Sequence, residues 1–441
     1  MRPDDDRAGA PGGEGEAPAR GMEVAPFRAL RYDPERFRLA GGAFAAPPYD
    51  VISPEEHRRL LESSPWNIAR LTLGSIPGGV SSYEERGALL DRWAREGILV
   101  EDASPGFYAY AIEYAVPEEG SGRKRFIGLL ALGRLYPFEA GIVLPHEKTF
   151  ERVVEDRYRL LDATRANLEP VLLLYADPRG EIDALLEARS RGAPAAKVEA
   201  KPGEFHAVYP FCDPEACGRL RDFFRGQRPI IADGHHRYTT SLKYAASQRA
   251  SERRVPGADW QLMTFANLYA DGVSILGTHR LVKLRRDGAP AASEAPPAGR
   301  VREAFASLVS RLERASSGDA HFRIETREGA ADVRFPASIL EARKGVARTA
   351  YALLHDVVLG EWLADALDPD RGVRYFKEGT GEREALERGE GDILFRMKPV
   401  GRSEFQAVVE GGEVFPHKTT YFYPKLWSGL VLWRLEGQSG V

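Results

Sequence analysis

The stretch Pro229-Ile230-Ile231-Ala232-Asp233-Gly234-His235-His236-Arg237-Tyr238 decides how this chain is read. Its apolar start makes a short buried strand. The glycine turns the chain, and from His235 onward Tyr238, Leu242 and Ala245 fall on one face of a helix. A strand that turns at a glycine into a helix is suited to anions. The first turn of a helix has N–H groups without an intrahelical acceptor and carries the positive end of the helix dipole. Glycine lets a ligand approach the backbone closely. His235, His236 and Arg237 add donors for phosphate oxygens. Asp233 can cap the helix, orient a histidine or hold a divalent cation. A capped helix with surface histidines is the alternative, but four polar, reactive side chains straight after a buried strand are costly for packing alone.

Working outward, Val171 to Tyr175 is a short, fully apolar strand. Residues 107–114 and 126–135 read as paired strands joined by a charged turn from Glu118 to Arg125. Further strands are expected at 205–209, 261–269, 272–276, 321–326 and 331–335. Helices are expected from Ser53-Pro54-Glu55-Glu56 onward, over Ser82 to Glu96, from Thr149 to about Asn167, over Pro214 to Phe224, near Arg302 to Ala315 and near Leu353 to Leu367. Gly180 to Ala200 reads as helix and loop. Strands and helices mix throughout, so the fold class is α/β, of the mixed α+β kind.

With 441 residues the chain is too long for one typical core. The expected division is a disordered tail over 1–21, an N-terminal α/β region over 22–140, a catalytic core over 141–286, an Ala/Pro-rich linker or loop over 287–299 and a C-terminal α/β region over 300–441. Order begins near Val24. Apolar residues make up 43% and charged residues 29%, ordinary values for a globular protein. The 61 basic and 65 acidic residues give a net charge of −4, which argues against a nucleic-acid or membrane partner. No apolar run approaches the ~20 residues needed to span a bilayer. The first residues lack a signal peptide's apolar centre. Two cysteines, Cys212 and Cys217, make no disulfide framework and fit a reducing compartment, so a cytoplasmic protein is expected.

Four more strings carry chemistry. In Leu144-Pro145-His146-Glu147-Lys148-Thr149 a carboxylate sits between a histidine and a lysine, as a general base beside an anion would. In Pro416-His417-Lys418-Thr419-Thr420-Tyr421-Phe422-Tyr423-Pro424-Lys425 two lysines and two hydroxyls interleave with aromatics. Gly277-Thr278-His279-Arg280 suits an anion or a plain turn. Ala46-Pro47-Pro48-Tyr49-Asp50-Val51-Ile52-Ser53 is a proline-stiffened loop that can present Tyr49, Asp50 and Ser53. The P-loop, dinucleotide, kinase, serine-hydrolase and zinc-protease signatures are absent; position 150, where a second zinc histidine would stand, is Phe. Anion-binding side chains with carboxylates are what phosphoryl transfer needs, because it depends mainly on positioning and charge neutralisation.

These strings, in this order, resemble one prokaryotic family catalogued as a domain of unknown function, number ten-fifteen. The resemblance runs from about Val24 to Leu435. The loop Asp233-Gly234-His235-His236-Arg237 also resembles that of free serine kinases, which have a ParB/sulfiredoxin-like core and phosphorylate free L-serine from ADP, ATP or pyrophosphate. ParB proteins carry Gly-Glu-Arg-Arg here, and sulfiredoxins need a loop cysteine that this chain lacks. The resemblance implies a ParB/sulfiredoxin-like phosphate-binding core with large N- and C-terminal additions. It implies a phosphotransferase with an alcohol acceptor, a free L-serine kinase making O-phosphoserine, with Mg²⁺ as cofactor. A small-molecule phosphate donor and an amino-acid acceptor would be its partners.

By motif match Glu147 is the base, with His236 as second catalytic residue. Gly234, His235, His236, Arg237, His146, Lys148, Thr149, Lys418, Thr419 and Lys425 would hold phosphate. Tyr49, Asp50, Ser53, Thr278, His279 and Arg280 would hold substrate, and Asp233 the metal. Three other readings stay open: a phosphoester hydrolase using the same pocket, a non-catalytic ParB-like nucleotide-binding regulator, and a zinc hydrolase built on His146, His235 and His236.

Overall fold

The computed structural model describes residues 21–37, 42–76, 82–116, 122–285, 298–368, 372–416 and 418–436. Residues 1–20, most of the expected linker, most of the Glu118–Arg125 turn outside its strand end, and His417 lie outside them.

An eight-stranded sheet organises the chain. Its order is Ile230–Asp233, Val171–Tyr175, Trp260–Asn267, Arg123–Arg134, Phe107–Ala115, Glu204–Phe211 and Ala196–Lys201, with Val24–Ala25 added beside Arg123–Arg134. Only Trp260–Asn267 against Val171–Tyr175 is parallel; the other pairs are antiparallel. The sheet thus draws strands from both sides of residue 140. Because successive strand residues point to opposite faces, Phe107, Ala109 and Ala111 join one apolar layer while Tyr108, Tyr110 and Ile112 join the other. The first layer is covered by the helices Glu181–Arg189, Pro214–Phe224 and His235–Arg249, through Leu186, Leu220, Tyr238 and others. The second runs on into the core of the C-terminal region.

That region holds a six-stranded antiparallel sheet, in the order Glu313–Arg314, Ala330–Arg334, Phe322–Glu325, Ile393–Met397, Thr278–Val282 and Val373–Lys377. Residues 415–435 then return across the first sheet. Phe415 donates to the carbonyl of His146 at 3.0 Å, Tyr421–Tyr423 pairs with Ser274–Leu276, and Leu432 exchanges backbone bonds with Leu30 at 2.9 Å. This return path carries Lys418 and Lys425 to the edge of the first sheet.

The expected mixed α/β class is the observed one. Ser53 caps the helix Pro54–Ser63 as read, Ser82 caps Tyr83–Arg95 at the start of the expected span, and Pro214–Phe224 matches the expected span. Three local readings need correction. Gly180 to Ala200 contains the strand Ala196–Lys201 as well as a helix. Its charged residues point outward at a sheet edge and only Val198 is fully buried, so it lacks an apolar signature. Arg123–Arg125 belong to the strand Arg123–Arg134. Leu353 to Leu367 is not one α-helix: Ala350–Leu353 runs into π-helical turns over Leu354–Trp362 and a 3₁₀ turn at Ala364–Ala366. Order also begins before Val24, since Met22 is fully buried and bonds the carbonyl of Gln227 at 3.0 Å.

Candidate anion-binding active site

The strand Ile230–Asp233 ends at Gly234, whose φ of 92° is left-handed and favours glycine. A Cβ there would stand 3.0 Å from the Arg237 guanidinium. The helix His235–Arg249 starts at once, so its first N–H groups face the same region as the side chains of the loop. A cavity of about 260 Å³ opens there. Of the residues expected at the site, Tyr49, Asp50, Glu147, Lys148, Asp233, Gly234, His235, His236, Arg237, Thr278, Lys418 and Lys425 all line it. Five separate segments of the sequence therefore meet in one place.

Asp233 is at the centre of the charge network. Arg237 bonds one carboxylate oxygen at 2.6 Å and Lys425 holds the other. Burial alone would raise the Asp233 pKa, but Lys425 and Arg237 outweigh it and hold the carboxyl well below the usual range. With both oxygens taken by cations, Asp233 does not fit as a metal ligand in this arrangement. Asp50 and Glu147 are the other carboxylates that face the cavity and could hold a divalent cation. Glu147 Oε1 accepts the backbone N–H of Lys418 at 3.2 Å, which fixes the carboxylate at the mouth of the returning segment.

The histidines divide. His235 and His236 line the cavity; His146 lies behind it. His146 Nδ1 donates to the carbonyl of Ile231 at 2.5 Å, and Nε2 accepts from Thr420 Oγ1 at 2.8 Å. Both nitrogens are used, burial lowers its pKa, and the ring is a neutral strut between the strand and the returning segment. His235 Nε2 accepts the His146 N–H at 3.3 Å, and burial, then the nearby His146, hold it neutral as well. His236 Nε2 accepts the Phe150 N–H at 3.1 Å, with the Phe150 ring stacked at 6.0 Å.

Other expected site residues stand outside the lining. Ser53 caps its helix by accepting from the Glu56 N–H at 3.1 Å. Thr149 does not reach the cavity wall, and buried Thr419 bonds the carbonyl of Pro416 at 2.6 Å. Arg280 is fully buried between the rings of Tyr351 and Tyr375, at 4.9 and 5.2 Å, and donates to the carbonyls of Thr278 and Lys418. It supports Lys418, whose backbone is left-handed at φ 55°, from behind. His279 is buried on Glu378 at 2.8 Å, with Glu382 and Arg396 beside it.

The wall also includes Thr420 and Tyr421 from the Pro416–Lys425 string, and Tyr375, Phe376 and Lys377, which the motifs did not single out. The alternation of basic and aromatic residues in Arg374-Tyr375-Phe376-Lys377 was the available signal. Glu169 was missed too. It is buried beside the site, accepts the Tyr49 N–H at 3.2 Å and the Ser428 hydroxyl at 2.7 Å, and so ties the proline-stiffened loop to the returning segment.

The family model described as "Protein of unknown function (DUF1015)" matches residues 24–329. The chain belongs to this family. The match contains the cavity residues from Tyr49 to Thr278 and ends before Lys377, Lys418 and Lys425. No curated protein matches significantly. Among solved structures, a free serine kinase in complex with ADP is similar at 15% identity and a TM-score of 0.31, over 64% of this chain and 83% of that one. A free serine kinase in complex with AMP gives 17% and 0.31 over the same shares. SbnI with C-terminal truncation from Staphylococcus aureus gives 13% and 0.36, over 68% and 86%. No helix among the described residues is long and apolar enough to cross a membrane.

Proposed function

We propose that the chain is a small-molecule phosphotransferase, and that its reaction is phosphorylation of free L-serine. One observation carries the reading. Lys148, Arg237, Lys377, Lys418 and Lys425 surround the glycine turn and helix start at Gly234, and Glu147 faces the same cavity. A polyphosphate on the first N–H groups of the helix, ringed by these cations, has its charge neutralised where phosphoryl transfer requires it. The likeness of the Asp233 to Arg237 loop to that of free serine kinases supports serine as acceptor.

In the proposed step Glu147 takes the proton from the serine hydroxyl. The hydroxyl oxygen forms a bond to the terminal phosphorus of the donor, and the bond from that phosphorus to its bridging oxygen breaks. The products are O-phosphoserine and the donor shortened by one phosphoryl group. Lys418 and Lys425, brought in by the returning segment, close over the phosphates. Mg²⁺, when bound, would neutralise phosphate charge, with Asp50 as the carboxylate able to hold it.

The test is phosphorus NMR of the full chain with L-serine, Mg²⁺ and, in separate tubes, ATP, ADP or pyrophosphate. A new phosphoserine resonance is expected in one tube and names the donor. Silence in all tubes from folded protein overturns the serine kinase reading. Phosphate release from phosphoserine alone would transfer the site to a hydrolase.

A further inference from the structure

Lys377 belongs to none of the motifs, yet it lines the cavity with its ammonium in no ion pair. It ends the strand Val373–Lys377, paired with Thr278 across the sheet. Its ammonium sits 4.8 Å from the centre of the Tyr421 ring, which also carries Lys425 at 5.1 Å. Lys425 and Arg237 are committed to Asp233, and Lys418 lies over Tyr375 at 4.9 Å. Among the described residues the Lys377 ammonium enters no hydrogen bond or ion pair; its contact is the face of the Tyr421 ring. It is half-buried, with two other ammonium groups close by.

The neighbouring carboxylate does not serve it. Glu378 points to the other face of the strand. There it accepts from His279 Nε2 at 2.8 Å and from Arg396 at 2.7 Å. His279 Nδ1 accepts the Met397 N–H at 3.2 Å, so the ring proton sits on Nε2. That tautomer spends both nitrogens. It therefore also argues against a metal on His279, Glu378 and Glu382, although their ligand atoms lie within 4.8 Å of one another. The knot is a brace that holds the end of the strand and keeps Glu378 away from Lys377.

Asp50 and Asp233 act on Lys377 only from a distance, as part of a network shared with Lys425 and Lys418, and a half-buried cation in no direct ion pair gains when an anion arrives. We propose that Lys377 is an anion-binding residue of this cavity, held open on the Tyr421 ring to receive a phosphate oxygen of the donor. The inference rests on the phosphate reading above and assigns part of its work to a residue outside the family match. Burial, then Lys425, lowers the Lys377 pKa to about 8, so the group is still mostly charged at neutral pH.

Calorimetric titration of the full chain with inorganic pyrophosphate at pH 7, repeated with ATP and with L-serine, tests it. Lys377→Met is expected to weaken binding of the phosphate compounds about tenfold to a hundredfold, the size of one lost charge-assisted hydrogen bond. Lys377→Arg is expected to stay within a few-fold of the parent. Unchanged pyrophosphate and ATP affinity in Lys377→Met overturns the inference and leaves the phosphate reading standing. Loss of serine affinity alone also overturns it, because Lys377 would then hold the acceptor carboxylate. If the parent protein binds none of the phosphate compounds, the phosphate reading fails and the inference falls with it.

Discussion

Asp233 and Lys425 stand 192 residues apart in the chain and form a largely buried ion pair. Arg237 holds the second oxygen of the same carboxylate. The pair joins the edge strand of the first sheet to the segment that returns from the C-terminal region, so the cavity exists only when both ends of the chain are in place. Removing one partner of such a pair leaves a buried charge uncompensated. Asp233→Asn is expected to cost about 3–5 kcal/mol in chemical denaturation. A loss below about 1 kcal/mol would mean that Lys425 finds water or another partner. The pair also predicts acid sensitivity. The folded-state pKa of Asp233 is depressed, so its contribution is complete above the ordinary aspartate range and is lost as pH falls below it. The Asn variant should show a flatter acid limb.

Glu147→Gln keeps an oxygen that can accept the Lys418 N–H, so the loop should hold its place while the base is gone. Turnover is expected to fall by at least about 10²–10⁴-fold, with donor affinity unchanged by calorimetry. Full activity would remove Glu147 from the mechanism.

At Gly234 the backbone is left-handed, and a methyl group would press on the Arg237 guanidinium at 3.0 Å. Gly234→Ala should cost about 1–2 kcal/mol of stability and should also weaken pyrophosphate binding, because the helix start must shift. Thermal unfolding with and without pyrophosphate reads both effects. A variant with parental melting and parental pyrophosphate response would show that the turn tolerates a side chain.

Lys377 gives a pH signature on the opposite limb. Its pKa is about 8 when folded against 10.5 for the free side chain. Below about pH 8 it is charged in both states and the folded protein carries the full desolvation penalty. The penalty shrinks as pH rises from 8 and disappears above about 10.5. Lys377→Met should therefore raise stability at pH 7 by about 1–2 kcal/mol, after allowance for solvent screening. The gain should vanish at high pH. A variant no more stable than the parent at pH 7 would mean that Lys377 is not desolvated in the folded protein.

Local chemistry made much of this legible. The apolar run at Val171–Tyr175, the serine cap at Ser53 and the glycine turn at Gly234 act within a few residues of themselves, so the amino-acid order alone announces them. The same holds for the choice of anion-binding side chains in five short strings. Edge strand Ala196–Lys201 was not legible, because an exposed charged strand has no apolar period to detect.

Amino-acid order by itself determined the class of the fold, the strand-to-helix glycine turn from Asp233 to Arg237, and which segments carry reactive side chains. Tertiary structure decided which of those side chains face the cavity. His146, His279, Arg280, Ser53 and Thr419 look equal to their neighbours in the motifs, yet packing turns His146, His279, Arg280 and Thr419 inward as struts and braces, and Ser53 is spent on an exposed helix cap. Lys377 looks like an ordinary strand residue until its strand is set against Tyr421 and Lys425. The reason is physical. Whether a polar group binds a ligand or supports the fold depends on which partner reaches it first, and for these residues the partners come from segments up to hundreds of positions away.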